Sequence, residues 1–164
     1  MRRAPSRRGF TLTETLVAIA LAAVVAGLAV PSFASALARH RLQSAAEQLA
    51  HDLAEARFDA ARRGAPLHLA FATGTRWCYA VAAAPGCGCR EATACSLKTV
   101  QAADHPGVQM LQAEDATLAE GLSGHRGGAL LQGADGLQLR VRLTPLGRPQ
   151  VCAPAGGVRG YPGC

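Results

Sequence analysis

An uncharged stretch near the start of the chain constrains the fold more than any other feature. Residues 15–38 carry no charged side chain. Wound as a helix rising about 1.5 Å per residue, such a run crosses roughly 30 Å of hydrocarbon. Arg2, Arg3, Arg7 and Arg8 precede it and few cations follow closely, which predicts a cytoplasmic N-terminus and the bulk of the chain outside. A secretory signal peptide has a shorter apolar core that stops at a small-residue cleavage site. This run instead leads into a second helical pattern. It also carries a carboxylate, Glu14, at its mouth, and a proline, Pro31, near its far end. A proline inside a helix removes one hydrogen bond and favours a kink.

Beyond Pro31, Leu42, Ala46, Leu49, Leu53, Ala56 and Ala60 recur at alternating spacings of four and three. That is one stripe of an amphipathic helix. The other faces are assigned Arg41, Glu47, Asp52, Glu55, Arg57, Asp59 and Arg62. Arg62-Arg63-Gly64 followed by Pro66 predicts the end: cations in the last turn, then a glycine able to take a left-handed cap. A single long helix is therefore expected to about Arg63.

The remainder reads as β structure. Leu67, Leu69 and Phe71 alternate with smaller or polar residues, as do Trp77, Tyr79 and Val81 after a Thr-Gly-Thr turn, so the two runs form a hairpin. Residues 97–101 and 108–112 are weaker strands, and residues 114–128 read as a long loop. Leu137, Leu139, Val141 and Leu143 alternate with Gln138, Arg140 and Arg142 in the clearest strand. Residues 150–153 return beside it, and a loose tail follows from Pro154. The expected fold is α+β: a long N-terminal helix on a small antiparallel domain of two sheets.

Residues 8–14, Arg-Gly-Phe-Thr-Leu-Thr-Glu, resemble the cleavage and methylation motif of type IV prepilins and type II secretion pseudopilins. The resemblance implies that a prepilin peptidase cuts between Gly9 and Phe10 and methylates the new amino terminus of Phe10. Glu14 becomes the fifth mature residue and Pro31 the twenty-second, both family positions; Thr13 departs from the usual aliphatic residue. It further implies that Glu14 pairs with the amino terminus of a neighbouring subunit, which would answer the cost of a lone carboxylate in lipid. The Leu/Ala helix, Pro66-Leu67-His68-Leu69 and the Trp77 strand are similar to the GspH/FimT group, which joins H-type minor pseudopilins to FimT-like minor pilins.

This resemblance divides the chain into a cleaved leader (residues 1–9), a transmembrane half-helix (10–38), an amphipathic half-helix (39–63) and a periplasmic β-rich domain (64–164). The implied location is the inner membrane, crossed once. The implied partners are the peptidase, other pilins or pseudopilins through the helix, and the membrane itself. The function expected is that of an H-type minor pseudopilin at or near the tip of a type II secretion pseudopilus; a FimT-like minor pilin of a type IV pilus is the alternative.

Cys78, Cys87, Cys89, Cys95, Cys152 and Cys164 make an even count, which in a small exported domain predicts disulfides. Cys-x-Cys is a poor match to structural zinc spacing, so no metal is expected. Cys152 with Cys164 would pin the tail; Cys87 or Cys89 pairs with Cys95, and Cys78 with the remaining member.

The formal charge of +6 falls to +2 once residues 1–9 are removed. The remaining bias is local: Arg140, Arg142, Arg148 and Arg159 lie beyond the last acid, Asp135. A solvated surface explains them, and so does a phosphate contact. The resemblance implies a DNA contact near a C-terminal Gly-Arg-x-Arg; here Gly147-Arg148-Pro149-Gln150 lacks the second arginine, for which Arg159 is the candidate substitute. Histidines are scattered and no nucleophile, phosphate-loop or paired-carboxylate pattern is present. No catalytic residue and no cofactor are expected. A signal-anchored periplasmic enzyme is the remaining, disfavoured reading.

Overall fold

The computed structural model describes residues 11–90, 95–119, 126–154 and 156–164, with only the backbone of Leu28 and Pro31. Among the described residues one α-helix, α1 (Leu12–Arg63), is followed by eight short strands and one 3-10 turn (Ala102–Asp104). The strands form two four-stranded antiparallel sheets, ordered β3-β2-β1-β5 and β4-β6-β7-β8. The architecture is α+β and pilin-like, with one long helix ahead of the sheets. The chain divides into two compact units, residues Met1–Ala36 and Leu37–Cys164. In the first, described from Thr11 onward, the helix is exposed, with Leu12, Val17, Ile19, Leu21 and Val25 between 60% and 80% accessible. Its backbone is helical on both sides of Pro31.

The second unit has one main core. The predicted stripe of α1 supplies Leu42, Ala45, Ala46, Leu49, Leu53, Ala56 and Ala60, all nearly inaccessible. Both sheets turn a face to it, through Leu67 and Leu69 of β1 (Leu67–Ala72), Tyr79 and Val81 of β2 (Cys78–Ala82), and Leu139 and Val141 of β7 (Gln138–Leu143). The helix ends as its last residues dictate: Gly64 takes φ of +61°, and the Ala65 N–H donates back to the Ala60 carbonyl at 3.3 Å.

The β1–β2 hairpin has the expected pairing, with Leu69 opposite Val81 and Phe71 opposite Tyr79. Its turn links the sheets: the Gly74 N–H donates to the carbonyl of Met110, which lies in β4 (Gln109–Glu114), at 2.9 Å. β3 (Ser96–Gln101) pairs on the far side of β2 and leaves an open edge. All of β2 is buried, because its second face lies under the cysteine-rich loop, where Cys78, Ala80 and Cys89 form a small cluster. Alanine and cysteine fit there because the covering loop lies close.

Several expectations are corrected. Residues 114–128 are not one loop: β5 (Ala116–Leu118) lies within them and pairs with β1, burying Ala116 and Leu118. β6 (Gly128–Gln132) was not anticipated and is central to the second sheet, between β4 and β7. Residues 156–164 are not loose. Val158 enters the core at 4% accessibility, and the Tyr161 hydroxyl donates to Glu47 of the helix at 2.8 Å. Asp52, placed by pattern on a solvated face, is 2% accessible. β8 (Pro149–Cys152) returns beside β7 as expected.

Candidate functional site

The N-terminal segment carries the strongest sequence signal. Gly9 and Phe10 lie outside the described residues. Thr11 begins the described chain and caps the helix: its Oγ1 accepts the Glu14 N–H at 3.3 Å. A threonine three residues before a glutamate is the usual arrangement for satisfying a free N–H at a helix start. Glu14 is exposed in the first turn, where unsatisfied N–H groups give a partial positive charge that favours an acid. Among the described residues no hydrogen bond or ion pair engages its carboxylate. Pro31 falls inside α1, and its side chain lies outside the described residues. By length and composition α1 is able to cross a membrane, and the relevant window has none of its surface buried within the protein.

Residues 5–30 match the prokaryotic N-terminal methylation motif. No curated protein and no solved structure matches the chain. The motif covers Arg7 and Arg8, the Gly9-Phe10 junction, Glu14 and most of the apolar run. It supports a type IV pilin-like or pseudopilin protein, and it implies processing by a prepilin peptidase and assembly with other pilins. With the apolar helix it is consistent with anchorage in the inner membrane.

The amphipathic half of α1 is held by polar contacts as well as by the core. The buried Asp52 carboxylate accepts from the Tyr79 hydroxyl at 2.8 Å and from Lys98 Nζ at 2.7 Å. These tie the helix to β2 and β3. Burial pushes the Tyr79 phenol far above its ordinary range, and the hydrogen bond to Asp52 adds to the shift. The same carboxylate, by accepting from Lys98, raises that ammonium's pKa against a smaller opposing effect of burial. Toward the start of this half, His105 is stacked on Trp77 at 5.9 Å between ring centroids and hydrogen-bonded to Gln48 at 2.9 Å. Burial lowers its pKa, partly countered by Asp104. The Trp77 indole donates to the Val108 carbonyl at 2.8 Å, fixing the loop that presents His105. Tyr161, in the tail, is pushed up to about 12 by burial and by its bond to Glu47.

His51, Asp52 and Glu55 bring ligand-capable atoms within 4.8 Å of one another. Lys98 takes the place a cation would need, bonded to Asp52 and 3.8 Å from Glu55. The group therefore reads as an internal ion pair.

The cysteines pair as Cys78–Cys89, Cys87–Cys95 and Cys152–Cys164. The first two take one of the two arrangements left open by the sequence; together they fold the loop onto β2. The third closes the tail that carries Val158 and Tyr161. A parallel bridge between Ala153 and Gly163 lies beside it.

The four arginines are spread over three elements. Arg140 and Arg142 lie on the outer face of β7, beside a shallow depression lined also by Gln112, Glu114, Gly128 and Leu130. The Arg142 guanidinium donates to Gln150 of β8 at 3.1 and 3.3 Å. Arg148 is in the β7–β8 turn, its N–H bonded to Thr144 Oγ1, and Arg159 is in the tail. Sequence reasoning missed Asp52, Tyr79, Lys98, His105 and Tyr161. One signal was available for Asp52: it sits three residues after Leu49 and four before Ala56, on the edge of the apolar stripe.

Proposed function

We propose that this chain is a structural subunit of a secretion fibre, an H-type minor pseudopilin at or near the tip of a type II pseudopilus, and not an enzyme. The observation that carries the reading is the methylation motif at residues 5–30 running directly into an exposed apolar half-helix, with a folded unit from Leu37 onward. On this reading the leader is removed after Gly9, Phe10 is methylated, and the anchored subunit displays its folded unit in the periplasm. Three disulfides suit that oxidising compartment. Glu14 then pairs with the Phe10 amine of a neighbour as subunits leave the membrane. An apolar setting makes such a pair strong and leaves either unpaired charge costly.

Co-expression with a prepilin peptidase tests the processing. The mature protein is expected to begin at methylated Phe10, and any other start refutes the assignment. A deletion strain tests the fibre. Loss of export of a folded secreted protein, with surface pili retained, is expected; loss of pili with export intact would make the chain a FimT-like minor pilin instead.

A further inference from the structure

We infer that the two disulfides of the cysteine-rich loop reach their native pairing by rearrangement, and that the partner this requires is a protein dithiol of the disulfide-isomerase class. The inference rests on the proposed reading in one respect: the folded unit matures in an oxidising compartment outside the inner membrane.

The pairing is interleaved. In chain order the loop cysteines are Cys78, Cys87, Cys89 and Cys95; the first joins the third and the second joins the fourth. Cys152–Cys164, by contrast, has no cysteine between its ends. A chain exported behind an N-terminal anchor presents Cys78 first and Cys87 next. A disulfide-donating oxidase met at that stage joins neighbours, Cys78 to Cys87 and then Cys89 to Cys95.

Chain entropy does not oppose that outcome. The native bridges have sequence separations of 11 and 8. The consecutive bridges are each two residues shorter, and the logarithmic cost of loop closure makes the pair of them about 2-fold easier to close.

The folded surface selects the native pairing. Cys78 opens β2 and packs with Ala80 and Cys89 in a small buried cluster. β2 is an inner strand between β1 and β3, and β3 starts at Ser96, after the last of the four cysteines. The surface that seats Cys89 is therefore built only after all four thiols have met the oxidant.

The correction takes three thiol–disulfide exchanges with no net change in oxidation state. The isomerase thiolate attacks Cys95 Sγ, forms a mixed disulfide and releases the Cys89 thiolate. Cys89 and Cys87 flank a single glycine, so this thiolate lies beside the Cys78–Cys87 bond. It attacks Cys78 Sγ, forms the buried bridge and releases the Cys87 thiolate. Cys87 attacks Cys95 Sγ, forms the second bridge and returns the isomerase thiolate. In the folded protein Cys78, Cys87 and Cys89 are 4%, 6% and 5% accessible, whereas Cys95 is exposed. Burial of the first three arrests the exchange once the native pairing is reached, and Cys95 is the point where an outside thiolate enters.

Expression of the full chain in two bacterial strains tests this, both with the periplasmic oxidase and one without its disulfide isomerase. Free thiols are trapped in the cells, and bridges are mapped by partial reduction and differential alkylation. Without the isomerase, Cys78–Cys89 is expected to fall at least ~5-fold, with Cys78–Cys87 in its place and Cys152–Cys164 unchanged. Purified isomerase added to the mispaired chain should restore Cys78–Cys89. Cys78→Ser with Cys89→Ser removes the interleaving, and Cys87–Cys95 should then form equally in both strains, whether or not the variant folds. Full native pairing without the isomerase overturns the inference. So does an equal loss of Cys152–Cys164, which marks a general folding defect. Six free thiols in both strains would overturn the oxidising location as well. N-terminal mass in the same samples reads cleavage after Gly9, so failure here is separable from failure of the processing assignment.

Discussion

Replacing Lys98 by methionine exposes how the helix is held. The substitution keeps the length of the side chain and removes its charge, leaving the Asp52 carboxylate in the core with the Tyr79 hydroxyl and, 3.8 Å away, the exposed His51 ring. Breaking a fully buried pair by removing one partner costs about 3–5 kcal/mol, and an exposed pair is worth under ~1 kcal/mol. This pair is asymmetric: the Asp52 side chain is 1% accessible and that of Lys98 is 42%. Water reaches the ammonium side, so the loss should lie between those limits, at about 2 kcal/mol. Asp52→Asn alone should cost about 1–2 kcal/mol, because the amide oxygen still accepts from Tyr79 while the ion pair is lost. With both changes no charge is buried, and the double variant should cost about 1 kcal/mol. The coupling energy is then about 2–3 kcal/mol, measured by urea unfolding of the unit Leu37–Cys164 with an unchanged denaturant slope. Additivity of the two single changes within about 0.5 kcal/mol would refute the reasoning.

Other perturbations follow from the same contacts. His105 has a lowered pKa in the fold, so the unfolded chain takes up a proton first as pH falls below about 6.5. Stability should therefore drop across that window and level off below the folded value, and His105→Gln should flatten the urea-midpoint profile there. Tyr161 has its phenol pushed up to about 12. Its contribution should be intact below pH ~10 and decline between there and its folded pKa, a decline that Tyr161→Phe removes from alkaline melts. Cys152→Ser with Cys164→Ser opens a loop of sequence separation 12 and should cost about 3 kcal/mol by chemical unfolding, with earlier proteolysis after Pro154. Gly128→Ala should leave little folded protein by near-ultraviolet circular dichroism: a Cβ there meets the Val141 carbonyl oxygen at 2.1 Å on a backbone of φ +135°.

The parts legible in sequence are those on which one physical demand acts alone. Lipid demands an uncharged run, and residues 15–38 supply it. A helix with one buried face demands the Leu42 to Ala60 stripe, and its members are the ones buried. β7 alternates because one face meets the core and the other solvent. Illegible elements answer two demands at once. β6 is inaccessible on both faces over Gly128 to Leu131, so it shows no alternation. Its entry, Gly127-Gly128, looks like loop punctuation, yet glycine is needed there because Ala116 and Val141 approach where a Cβ would stand. β5 is three residues long, too short for any period to register. The tail was misjudged because its order comes from a disulfide, one buried valine and a hydroxyl bonded to the helix, none of which is a local pattern.

Two carboxylates on the same helix show why the pattern misled at one and informed at the other. Asp52 breaks the polar-outside rule because its compensation is inside the chain: a phenol from β2 and an ammonium from β3 arrive by folding, and nothing in its own segment announces them. Glu14 breaks the apolar-in-lipid rule with nothing comparable. Among the described residues it has a threonine cap on its N–H, the positive end of the helix, and no partner for its carboxylate. The helix end compensates by at most about 1 kcal/mol at an exposed site, against a few kcal/mol for a charge placed in hydrocarbon. A cation outside the described residues would supply the remainder if this segment lies in lipid. On the proposed reading that cation is the amine created at Phe10 by cleavage, so Glu14→Ala should leave processing intact and abolish incorporation into the fibre. Normal incorporation of the Glu14→Ala protein, read from sheared fibres, would mean that the carboxylate serves only to cap the helix.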